Sequence, residues 1–174
     1  MATVEEARLV AAIVRDAGGR VVGRTRLQKM AFILEASGLG SGFPFIYKHY
    51  GPYSEELSNA SRTAAILGIL KETESPASWG GSFSTFEVSM PPDLTVPESR
   101  RRMVHETVNA DAIELELAAT ALYLSSARLG GSNAWSETAR RKPEKAANGR
   151  LDRARTLYEK IRQIQTPVPL PRLG

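Results

Sequence analysis

The sequence predicts a mainly α fold with a small β wing, a winged helix-turn-helix followed by a C-terminal helical extension. Stretches with helical apolar spacing fill most of the first 67 residues, strand-like runs around a turn-rich loop follow, and helical periodicity returns after Pro97. Three helices and then a two-stranded ribbon is the order of a winged helix. The expected division is a winged-helix domain over 1–90, a helical extension packed on it over 91–165, and a flexible proline-rich tail over 166–174.

Residues 4–17 place Val4, Ala7, Leu9, Val10, Ile13 and Val14 on one helical stripe, which Gly18 and Gly19 stop. In "TRLQKMAFILEASG", Thr25 and Gln28 have capping-box spacing, Leu27, Met30, Ala31 and Leu34 face the core, and Gly38 ends the helix. "PFIYKHY" alternates and is aromatic, so it reads as a short strand that Gly51-Pro52 turns. Ser54 caps a third helix to Leu67, with Glu55 and Glu56 in its first turn complementing the helix dipole. Ile69–Lys71 and Ser84–Met90 read as strands around the loop "ESPASWGGS".

Pro97 suits the first turn of a charged helix. Asp111 with Glu114 marks the start of the next, "AIELELAATALYLSSA", which runs to Gly130-Gly131. Trp135–Arg141 is a short helix, and Leu151, Ala154, Leu157, Tyr158, Ile161 and Ile164 form the stripe of the last one. The tail "TPVPLPRLG" cannot be helical, because its prolines lack the N–H a helix needs.

The absence of cysteine excludes disulfides and thiolate chemistry, and two histidines, His49 and His105, leave little for a metal site. No metal or other cofactor is expected. The start "ATVEEARLV" lacks the features of a secretory signal, and no apolar run is long enough to span a bilayer, so a cytoplasmic protein without membrane contact is expected. The net charge is +4, carried entirely by residues 91–174, with 14 Lys/Arg against 10 Asp/Glu.

The basic set Arg24, Arg26 and Lys29 opens the second helix, where a helix-turn-helix crosses the phosphate backbone. Asn59 and Arg62 on the third helix have the chemistry to address adenine and guanine edges, and Arg101 belongs to a further basic patch, "SRRRM". The competing reading of each is a solvated helix face. Glu55 and Glu56 oppose the DNA reading, since carboxylates at that end repel phosphates. No nucleophile motif or phosphate loop is present, and Glu114 and Glu116 point to different sides of their helix, so no catalytic residue is assigned. In the corner Tyr50, Gly51, Pro52, Tyr53 and Ser54, the tyrosine rings are expected to pack against helices and aim the third helix.

"GRTRLQKMAFILEASG", "YKHYGPYSEEL", "LELAATALYLSS" and "ARRKPEKA" together resemble the YwgA-like winged-helix proteins of bacteria and archaea, which are in turn distantly similar to the Panacea antitoxin domain. The resemblance spans roughly residues 20–160 and implies a winged helix that binds nucleic acid or protein rather than a catalyst. Two functions follow as expectations. One is a dimeric DNA-binding regulator, its two-fold supplied by the C-terminal helices; the other is an antitoxin-like or defence-complex protein-interaction module that does not bind DNA.

Overall fold

A computed structural model describes residues 1–174, with eight helices and five strands in the order α1 (Val4–Asp16), β1 (Arg20–Val22), α2 (Arg24–Ala36), β2 (Ile46–Lys48), β3 (Gly51–Tyr53), α3 (Glu55–Ile66), β4 (Lys71–Pro76), β5 (Ser82–Glu87), α4 (Glu98–Val108), α5 (Ala112–Ser126), α6 (Ala134–Arg141), α7 (Pro143–Ala146) and α8 (Arg150–Arg162). The chain is thus mainly helical with two small antiparallel sheets. One orders its strands β1-β5-β4, and the other is the hairpin β2-β3. No helix is long and apolar enough to cross a membrane.

The core follows from the apolar stripes. α1 turns Ala7, Val10, Ile13 and Val14 inward and packs on α3, while Val21 and Phe86 pair across β1 and β5 to close the sheet side. α5 is buried around nearly its whole circumference, as an apolar run with no polar face must be, and it is packed between α2, α6 and α8. α4 is tied to the N-terminal half by Arg100, which donates to Asp16 Oδ2 at 2.8 Å and to the Leu39 carbonyl at 2.7 Å.

Several details differ from the sequence expectation. Thr25 does not cap α2: the N-cap is Gly23, with no side-chain cap bond, and Gln28 is turned to another task described below. The turn after β2 is His49-Tyr50, and Gly51-Pro52 begin the returning strand. α5 ends at Ser126 rather than at the Gly130-Gly131 pair. The proline-rich end is not loose. Leu170 and Leu173 are buried in the core cluster, the Tyr158 hydroxyl donates to the Pro171 carbonyl, and Val168 N–H donates to Ser37 O at 3.0 Å. A polyproline-like segment has no internal hydrogen bonds, so its order here comes from burying those leucines.

Candidate functional site

The corner between β2 and α3 is gripped from both sides by buried polar side chains. From α2, Gln28 makes a two-way bond with Ser54: its Nε2 donates to Ser54 O at 2.9 Å and its Oε1 accepts from Ser54 N at 2.8 Å. The next residue, Lys29, donates from Nζ to Pro52 O at 2.7 Å. Ser54 Oγ in turn accepts from Leu57 N at 3.1 Å, which caps α3 as its sequence position suggested. Consecutive residues on α2 face different directions, so both can reach the corner only because its backbone wraps across the helix. Gly51 makes that wrap feasible: its φ is +88°, and a Cβ there would lie 2.4 Å from Thr120 Oγ1 on α5.

From the other side, Lys142, at the junction of α6 and α7, donates to His49 O at 2.9 Å and to Glu116 Oε1 at 2.7 Å. Lys145 on α7 donates to both Glu116 oxygens at 2.8 Å. Glu116, Lys142 and Lys29 are all buried. One carboxylate therefore sits among three lysines, an excess of positive charge in a low-dielectric setting. Burial is the main reason the Lys29 amine is pulled down from its usual 10.5 to about 7; Glu116 opposes the fall, and Lys142 and Lys145 add to it.

Beside this cluster a cavity of about 370 Å³ opens between α2, α3 and the β4–β5 hairpin, walled by Arg24, Lys29, Tyr50, Tyr53, Arg62 and Glu72 among others. Arg24 donates from Nε and Nη2 to Glu72 Oε1 at 3.1 and 2.9 Å. Arg62 forms no ion pair, and its only side-chain hydrogen bond is a 3.5 Å contact with Asn59 Oδ1. Lys145 lies 4.7 Å from the Tyr50 ring centre and Lys48 4.6 Å from that of Tyr53, both as cation–π contacts.

The residues predicted to meet nucleic acid thus separate. Arg24, Lys29 and Arg62 meet at this cavity together with Tyr50 and Tyr53, and Asn59 lies next to Arg62 on α3. Lys29 is interior and does not present its amine on an open helix face. Arg26 is half-buried and spent on backbone: it donates to Val22 O, Val108 O and Ala110 O, closing the C-terminal end of α4, and burial lowers its pKa. Arg101 lies apart on α4, beside Asp16, Arg102 and His105. Of the corner residues, Gly51, Pro52 and Ser54 are buried, but Tyr50 is 59% exposed, its ring meeting α7 through the Lys145 side chain rather than being packed in.

Glu116, Lys142, Lys145 and Glu72 were not singled out from the sequence as site residues. The signal for Glu116 was present, a carboxylate inside the otherwise apolar run "LELAATALYL", which requires a buried partner.

The chain is similar to "Uncharacterized protein YwgA" of Bacillus subtilis (strain 168), at 29% identity over 160 residues, covering 84% of this chain and 90% of that protein. No family model matches the chain, and no solved structure does.

Proposed function

We propose that residues 1–90 are a winged helix whose α3–hairpin face docks a protein partner, making the chain an antitoxin-like or complex-forming module without catalytic activity. The charge of that face is the observation that carries this reading. Residues 54–90 hold five carboxylates, Glu55, Glu56, Glu72, Glu74 and Glu87, against two cations, Arg62 and Lys71, and with Lys48 and Arg24, which pair with Glu55 and Glu72, the balance is −1. DNA binding draws on phosphate neutralisation by Lys and Arg, and a net-negative reading face repels the duplex instead. Arg24 offsets only Glu72, while Arg26 is half-buried against backbone carbonyls and Lys29 is buried, so the basic set that favoured DNA leaves the balance negative. Exposed apolar side chains stand at both ends of this region, Ile66 and Leu67 at the end of α3 and Trp79 at the hairpin tip, side chains of the kind that anchor protein interfaces.

The α1-β1-α2-β2-β3-α3-β4-β5 order, a winged-helix order with a short β2–β3 hairpin added between α2 and α3, and the β1-β5-β4 sheet support the winged-helix assignment. Similarity to the uncharacterized YwgA favours no role over another. Fluorescence-anisotropy titration of mixed duplex DNA at two salt concentrations tests the reading. No saturable binding is expected even at low ionic strength, and binding that weakens steeply with salt would replace this reading with that of a DNA-binding regulator.

A further inference from the structure

We propose that the cavity between α2, α3 and the β4–β5 hairpin binds a small organic anion, a carboxylate or phosphate ester carried on a planar ring. This goes beyond the docking role of the outer α3 face and does not depend on it. A volume of about 370 Å³ lies within the range of small-molecule sites. The wall carries two guanidinium side chains, Arg24 and Arg62, the buried Lys29 and one carboxylate, Glu72. Arg24 already occupies that carboxylate, which leaves Arg62 as a guanidinium fork without an acidic partner. A fork of this kind matches the two oxygens of a carboxylate or phosphate.

Charge behind the wall points the same way. Lys29 adjoins the cluster in which Glu116 of α5 already receives Lys142 and Lys145, so the cavity borders buried positive charge that no protein carboxylate offsets. An anion bound there would supply the missing negative charge where water screens it least. Burial lowers the proton affinity of Lys29, and an anion bound beside it would raise that affinity again. Tyr50 and Tyr53 add flat apolar surface to the same wall, each with a cation against its ring, and Tyr50 stays open to solvent. Aromatic faces beside a cationic pocket favour a ring-bearing anion over a bare ion.

Calorimetric titration with salicylate and with adenosine 5′-monophosphate, beside acetate, inorganic phosphate and adenosine, tests this and separates the two anion sources. At least one ring-bearing anion should bind at least about tenfold more tightly than its ring-free or charge-free counterpart. Arg62→Gln should weaken it by about tenfold or more with the melting temperature unchanged, since Arg62 is exposed and unpaired. From about pH 7 to about pH 9 the affinity should fall about tenfold or more as Lys29 loses its proton. Lys29→Met should flatten that slope; if this variant does not fold, the Arg62→Gln comparison stands alone. Failure of both ring-bearing anions to bind at millimolar concentration, or binding indifferent to Arg62→Gln, would overturn the proposal.

Discussion

Replacing Glu116 with glutamine keeps the shape of the buried cluster and removes its only carboxylate. Glu116 is 3% exposed and receives three lysine contacts of 2.7–2.8 Å, one from Lys142 and two from Lys145. Breaking a buried ion pair from one side costs about 3–5 kcal/mol, because the remaining charge is left in a medium that solvates it poorly. The two lysines differ in their recourse. Lys145 has a side chain 33% exposed and can turn to water, whereas Lys142 is 5% exposed and keeps only its bond to His49 O. The cost should therefore fall near the lower end, about 3 kcal/mol, which for a chain of this size lowers the melting temperature by about 6–12 °C. Circular dichroism during thermal and urea denaturation measures it. Adding Lys142→Met to Glu116→Gln should recover at least about 1 kcal/mol relative to the sum of the single changes, since the stranded charge is then gone. A Glu116→Gln variant within about 0.5 kcal/mol of the parent, or a strictly additive double variant, would refute the claim that this cluster holds the corner.

Gly51→Ala should destabilise the chain by about 2 kcal/mol or more in urea titrations, because its φ is +88° and the new Cβ would meet Thr120 Oγ1; adding Thr120→Ala should recover the steric part but not the backbone part. Lys29 binds its proton less tightly folded, at about 7, than unfolded, at its usual 10.5. Between those values the unfolded chain holds more protons, so this contribution makes stability rise with pH, while below about 7 it is flat with the burial cost fully present. From about pH 7 to about pH 9 the parent should gain on the order of 2 kcal/mol relative to Lys29→Met, read from denaturation at both values. Ending the chain at Gln165 removes the burial of Leu170 and Leu173 and the Tyr158–Pro171 bond, and should cost about 3–6 kcal/mol by thermal denaturation.

The helices were legible in their apolar residues: α1, α2 and α8 lie close to where Val10, Leu27 and Ala154 set their stripes, and α5 follows a nearly continuous apolar run. The caps at Ser54 and Asp111 were legible for the same local reason, a side chain bonding backbone within three residues. What failed was non-local. Gln28 had capping-box spacing, yet its amide satisfies Ser54, 26 residues away, and no local rule distinguishes the two uses. Lys29 and Arg26 looked like phosphate contacts because charge is normally exposed; which lysines a fold buries depends on carbonyls and carboxylates from other elements, here Pro52 and Glu116. The tail looked free because prolines forbid a helix, but its leucines occur at the right reach to cover the core. Two sequence features that the resemblance treated as separate, Leu-Gln-Lys and Tyr-Gly-Pro-Tyr-Ser, turn out to be the two halves of one contact.

The account rests most heavily on the α3–hairpin face meeting a protein. Affinity purification of the full chain from its native host, in parallel with Leu67→Asp on that face and Leu129→Asp in the loop after α5, tests it most directly, since both positions are exposed and neither change should unfold the chain. The prediction is a stoichiometric protein partner that Leu67→Asp loses and Leu129→Asp retains. Recovery of nucleic acid in place of a partner, or a partner indifferent to Leu67→Asp, would contradict it.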